Sequence, residues 1–180
     1  MNFRELKNYW SVEVIGGGRK FSWGRILRRA FNAHSKNYLF WFRLSQFFYA
    51  QNSRFFISIA KKINKKMILK YGIEIMLGAK IGPGLKIIHP HGIVVWRGVA
   101  AGSNLTLRQN TTIGTTRDEN RPIIIGNNVD IGANCCIVGD GLVIGDDVRI
   151  GAMSFVNSNI PSQSTFVTVK ESRIISQKNN

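Results

Sequence analysis

The 180 residues carry 25 Lys and Arg against 10 Asp and Glu, a formal net charge of +15 at neutral pH, with 44% hydrophobic residues. That length fits one domain with at most a small appendage, and the apolar fraction supplies a real core, which excludes a disordered chain apart from the polar end, Ser176 to Asn180. The charge favours anionic partners without choosing among nucleic acid, an acidic membrane face, an acidic polymer and a phosphate-bearing cofactor.

The opening stretch, Met1 to Lys7, lacks the apolar run of a signal peptide, and no segment reaches the roughly 18 apolar residues of a spanning helix. The expected location is therefore the cytoplasm. Residues 1–70 read as a basic, aromatic, helical region, with Gly16-Gly17-Gly18 as a loop. From Asn37 to Ala50 aromatics and leucines are dense, and Leu44, Phe47, Phe48 and Gln51 follow the i, i+3, i+4, i+7 spacing of a helix. A second helix is expected from about Ser53 to Lys70. Phe56, Ile59, Ala60 and Ile63 share one face of it, and Lys61, Lys62, Lys65, Lys66 and Lys70 crowd the rest.

Residues 71–168 follow another rule, an aliphatic residue every six positions. The beat runs through Leu69, Ile75, Ile81, Ile87, Ile93, Val99 and Leu105 and breaks near Thr111. It resumes at Ile125, Ile131 and Ile137, slips by one, and continues at Ile144, Ile150 and Val156. The polar stretch 115–122, ending in Asn120-Arg121-Pro122, reads as an inserted loop, and 169–180 as a C-terminal tail. A six-residue period is the signature of a parallel β-helix, in which each unit is a short strand plus a corner and three units close one coil. A β-sandwich would alternate at period two, with turns every 8–12 residues. The expected fold is thus mainly β, a hexapeptide-repeat parallel β-helix with a short α-helical N-terminal region.

Cys135 and Cys136 are adjacent, so they offer neither a disulfide framework nor zinc-ligand spacing, and no metal is expected. Of three histidines only His89 and His91 fall in the repeat, too few for a three-histidine metal hydratase. No recognised motif supports nucleic acid as the anionic partner.

The stretches Gly72 to Leu85, Ile88 to Val95, Thr111 to Gly114, Ile125 to Asn134 and Ile137 to Ala152 resemble serine O-acetyltransferases, including the slip before Ile144. The similarity spans residues 68 to 175. A closer resemblance is to the O-acetyltransferases that decorate exopolysaccharides such as colanic acid. It lies in the aromatic-basic N-terminal region, the Ile88-His89 approach to Gly92 and the short loop after Thr112-Ile113-Gly114. The family implies left-handed winding, acetyl-CoA as co-substrate in a groove between neighbouring β-helices, and a homotrimer or a pair of trimers. It also implies His89 as general base, with Glu74, fifteen positions earlier, orienting it. Imidazole suits proton removal near neutral pH, and a carboxylate on its other nitrogen would fix the tautomer. Gly114, Thr115, Ala133 and Ala152 match positions that meet the pantetheine arm, though each is equally a turn residue the repeat needs. Arg149 and Lys170 are candidates for the CoA phosphates. Arg121 and His91 are candidate acceptor contacts, and His91, four after Ile87, also falls on a core-facing beat.

Two departures shape the expected acceptor. Ile88 stands where serine acetyltransferases place aspartate, and Asn120-Arg121-Pro122 stands in place of Arg-His-Pro. A missing polar partner for a small charged substrate is costly. The expectation is therefore acetylation of a hydroxyl on a bacterial surface or capsular polysaccharide or its precursor. A face of Lys61, Lys62, Lys65 and Lys66, beside Phe55, Phe56 and Trp41, would then rest on anionic lipid; otherwise the aromatics simply pack the helices against the β-helix or a neighbouring subunit, with the lysines solvated. The alternatives are a serine O-acetyltransferase, an antibiotic O-acetyltransferase of the same fold and a non-catalytic scaffold.

Overall fold

The computed structural model describes residues 1–169 and 171, so Lys170 and its expected CoA contact lie outside the described residues. Four α-helices come first: α1 (Phe3–Trp10), α2 (Trp23–Asn32), α3 (His34–Tyr49) and α4 (Arg54–Tyr71). The first two were not legible in the sequence. Helix α1 starts in a capping box, in which the Asn2 side chain accepts from the Glu5 amide and the Glu5 carboxylate accepts from the Asn2 amide. It runs on into a π-helical segment, Ser11–Gly16. Helix α4 stops at Gly72, whose φ of 61° is left-handed and suits glycine.

Fourteen short strands follow: β1 (Ile73–Ile75), β2 (Lys80–Ile81), β3 (Lys86–Ile88), β4 (Ile93–Val95), β5 (Val99–Ala101), β6 (Thr106–Arg108) and β7 (Thr112–Gly114). After a loop come β8 (Ile123–Ile125), β9 (Asp130–Ile131), β10 (Cys136–Val138), β11 (Val143–Ile144), β12 (Arg149–Ile150), β13 (Phe155–Val156) and β14 (Thr165–Phe166). They form three parallel sheets: β1-β4-β7-β10-β13, β2-β5-β8-β11 and β3-β6-β9-β12-β14. This is a left-handed parallel β-helix of about five turns, with its core inside the prism.

Each six-residue unit buries two side chains, not one. In the first sheet Ile75, Val95, Ile113, Ile137 and Val156 stack as one column. Ile73, Ile93 and Thr111 belong to a second column two residues earlier, also buried. From these registers successive turns take 20, 18, 24 and 19 residues. The long first turn corrects the sequence reading in three places. Five residues separate Ile88 from Val94, whereas three separate their partners Arg108 and Thr112. The corner at His89 is therefore two residues longer than the one stacked on it. A steady six-count across that corner slides from one buried column to the other, so Ile93, Val99 and Leu105 continue a different column from Ile75, Ile81 and Ile87. The apparent break near Thr111 follows, because Thr111 is itself buried in that second column, its hydroxyl donating to the Arg108 carbonyl at 2.8 Å. His91 is likewise displaced from the core to the surface. Leu69, counted as the first beat, sits exposed on α4.

The corners repeat as well. Asn104, Asn128 and Asp147 occupy one left-handed corner position (φ 60°, 56° and 56°), and each amide donates to the side chain above, at 2.9 Å. Asn and Asp tolerate this backbone, so the side chains that permit the turn also tie successive turns together.

The helices are fixed to the first turns by one buried network. Arg43 donates to both carboxylate oxygens of Glu13, at 2.5 and 2.8 Å, and to the carbonyls of Ile81 and Gly82, at 2.8 Å each. The amides of Gly84 and Leu85 donate to Glu13, each at 3.1 Å. Glu13 and Arg43 are 2% and 1% exposed, so neither charge has water to fall back on. The aromatics expected beside the lysine-rich face divide: Phe56 stacks on Phe48 at 5.5 Å and Trp41 is half-buried, while Phe55 is exposed.

Candidate active site

Most of the expected site residues fall on two different edges of the prism, while Glu74 and Arg149 lie on strands. His89 lies in the corner between β3 and β4, at a left-handed φ of 54° that a histidine adopts at a cost, and its side chain is exposed. Ala133 and Ala152 occupy later corners on the same edge, between β9 and β10 and between β12 and β13. The Met153 amide donates to the Ala133 carbonyl at 2.8 Å, which locks those two corners one above the other. A column of stacked corners therefore rises from His89 along one edge.

Glu74 is half-buried on β1, facing outward in register with Val94. Neither its carboxylate nor the His89 ring makes a hydrogen bond or ion pair among the described residues, so the expected contact is not formed. His91 packs near the helix-to-strand junction instead, its Nδ1 3.3 Å from where a β-carbon on Gly72 would lie. It is exposed, which corrects the core-packing half of the packing or subunit-contact role expected for it and leaves the subunit contact untested.

Gly114 and Thr115 lie on another edge, where β7 leads into the loop before β8. Here the six extra residues of the 24-residue turn are held from both sides. From the turn above, Asp140 accepts from the hydroxyls of Thr115 and Thr116 and from the amides of Thr116 and Arg117. The two hydroxyl donors, chief among these bonds, hold its carboxyl well below the usual carboxylate range. From the turn below, Arg97 pairs with Glu119. Asp140 sits in the corner that carries the one-residue slip, so the slip places the group that clasps the loop. Nothing in its sequence context marked it. Arg121 is exposed beside that corner, its guanidinium 3.1–3.4 Å from a β-carbon built on Gly141. Gly114 has open space at its Cα.

Arg149 is exposed on β12, in register with Asp130 and Thr165, on neither edge. Cys135 is buried with its thiol 3.1 Å from the Gly151 carbonyl, and burial pushes its pKa up, which disfavours the thiolate. Among the described residues no three His, Cys, Asp or Glu side chains converge, and no helix is long and apolar enough to cross a membrane.

No family model matches the chain. It is 37% identical over 129 residues to a serine acetyltransferase of Helicobacter pylori (strain J99), an alignment covering 70% of this chain and 74% of that protein. Its fold matches serine acetyltransferase isoform 3 of Entamoeba histolytica, solved in complex with cysteine, with a TM-score of 0.74 at 23% identity. That match covers 97% of this chain, which spans 61% of the Entamoeba chain. A serine acetyltransferase solved in complex with CoA matches with a TM-score of 0.71 at 23% identity, over 92% of this chain and 66% of that one. The relative at 37% identity overturns the polysaccharide acceptor expected from Ile88 and Asn120-Arg121-Pro122. The two departures were weighed as single positions, whereas the likeness extends over 129 residues.

Proposed function

This chain belongs to the serine acetyltransferase family of acetyl-CoA-dependent acyltransferases, and on that premise we propose that it transfers acetyl from acetyl-CoA to the hydroxyl of serine. The observation that carries the site assignment is the extended corner, which presents His89 to solvent at the head of the Ala133–Ala152 edge.

In this reading the His89 imidazole takes the proton of the serine hydroxyl as its oxygen attacks the thioester carbonyl. The tetrahedral intermediate collapses by breaking the carbon–sulfur bond, and the imidazolium returns the proton to the departing thiolate, leaving O-acetylserine and CoA. The backbone at Ala133 and Ala152 lies along the pantetheine arm, with Arg149 as a cation for the phosphates. Arg121 holds the serine carboxylate by a charge-assisted bond. Glu74 reaches His89 when substrate draws the corner inward, since catalytic hydrogen bonds tighten in the substrate complex.

One subunit keeps His89 and the Thr115–Arg121 loop on separate edges. A trimer, in which the loop edge of one copy faces the His89 edge of the next, completes the site. Exposed apolar side chains on the outer faces, Val94, Ile124, Val143 and Phe155, supply surface for such packing. The reaction belongs in the cytoplasm on this reading.

Thiol release from acetyl-CoA with serine tests the proposal. His89→Ala should cut turnover by about 10²–10⁴-fold with the melting temperature unchanged. Absence of serine-dependent thiol release overturns the acceptor assignment, and full activity in the variant overturns His89 as base. Sedimentation at a monomer mass with full activity would remove the shared site.

A further inference from the structure

A well-formed cavity lies away from the His89 corner. It is a space of about 450 Å³ between the end of α2, the first half of α3 and the last turns of α4. Its size lies within the range of small-molecule sites. Trp41, Ile63 and Met67 give it an apolar wall. On its floor the Tyr71 hydroxyl donates to Asn37 Oδ1 at 2.5 Å. Asn37 is 7% exposed and lines the cavity, yet its amide NH₂ has no partner among the described residues. That donor pair borders the open space with no protein acceptor among the described residues.

The rim is cationic. Lys62, Lys66 and Lys70, spaced i, i+4, i+8 on α4, all line the cavity, and none forms an ion pair among the described residues. Lys70 Nζ sits 5.1 Å from the centre of the Tyr71 ring, over the cavity floor. No acidic side chain lines the space, and between Glu13 and Glu74 the chain has thirteen Lys and Arg and no Asp or Glu. Like charges stacked one turn apart repel, and no local carboxylate relieves them. A second copy of this face would bring more of the same charge.

We propose that this cavity is a binding site for a small amphiphilic anion, a carboxylate or phosphate head on an apolar body. The head lies among the three ammonium groups and accepts from the Asn37 amide; the body fills the space beside Trp41, Ile63 and Met67. Free acyl carboxylates and alkyl phosphates share this chemistry.

Dodecanoate, dodecyl phosphate, dodecanol, dodecyltrimethylammonium and inorganic phosphate, each titrated below its micellar concentration into the whole protein, test the site by calorimetry and by Trp41 fluorescence against a Trp41→Phe control. One anionic amphiphile should bind per chain, with dodecanol and dodecyltrimethylammonium at least tenfold weaker; the better of dodecanoate and dodecyl phosphate identifies the head group. Lys62→Glu with Lys66→Glu should weaken it at least tenfold, while Lys66→Arg retains it. If the doubly reversed variant fails to fold, raising salt from about 50 to 500 mM on the native protein should weaken anion binding and leave dodecanol unaffected. No saturable binding, equal affinity for the cationic amphiphile, inorganic phosphate binding as tightly as dodecyl phosphate, or binding indifferent to both charge reversal and salt would overturn the proposal.

Discussion

The helical region and the β-helix bury their cores by opposite means. In the β-helix most interior positions meet an equivalent residue one turn, 18 to 24 residues, away. In the helices each contact is made once. Trp10 stacks on Phe40 at 4.7 Å, Tyr38 packs against Tyr71, and a fully buried ion pair joins residues 13 and 43 to residues 81–85. Repetition spreads stability over many equivalent small aliphatics, whereas the unique contacts concentrate it at a few positions.

The sharpest way to break this contrast is to remove one half of the buried pair. Arg43→Met leaves the Glu13 carboxylate stranded among apolar groups and should cost about 3–5 kcal/mol in urea unfolding. Adding Glu13→Leu should recover part of that loss. If Arg43→Met costs no more than a surface substitution, the helices do not depend on the network. Ile137→Ala, in the middle of a core column, should cost about 2–5 kcal/mol, with hydrogen exchange showing the loss spread over neighbouring turns. A comparison of two glycines is finer. Gly132→Ala would put a β-carbon 2.5 Å from the Ala152 amide nitrogen and should cost about 1–3 kcal/mol, whereas Gly114→Ala meets open space and should change melting by little.

The smallest effect belongs to the loop clasp. The Asp140 carboxyl titrates lower in the folded protein than in the unfolded chain, so its contribution is complete above the ordinary carboxylate pKa of about 4. It is lost as the pH falls from there toward the depressed native value. Exchange of the Thr116 and Arg117 amides should therefore quicken below about pH 4 before the core unfolds, and Asp140→Asn should show that faster exchange already at neutral pH.

This division also decided what could be read in advance. The β-helix was legible because Ile75, Ile81, Ile125, Ile131 and their equivalents obey one local rule. Helices α3 and α4 showed through dense spacing, while α1 and α2 are too short and too dependent on tertiary packing to announce themselves. Glu13 and Arg43 are thirty residues apart and carry no local sign of pairing. The two-residue extension at His89 was hidden because both columns of each unit are aliphatic, so a miscount by two still lands on a buried residue. His91 was placed in the core for that reason. The acceptor was misjudged because two single positions, Ile88 and Arg121, were set against a likeness that extends over 129 residues.

The turn lengths of 20, 18, 24 and 19 residues have a further consequence. Whatever exceeds eighteen is extruded at a corner, and those extrusions are His89's corner, the 115–122 loop and the bend carrying Asp140. The prism thus acts as a chassis with a fixed gauge, and its attachments can be lengthened, shortened or exchanged without retooling the interior. Grafting a loop of different length between Gly114 and Ile123 should accordingly leave the packed columns where they are, and on the proposed reading it is the change that would retune the acceptor.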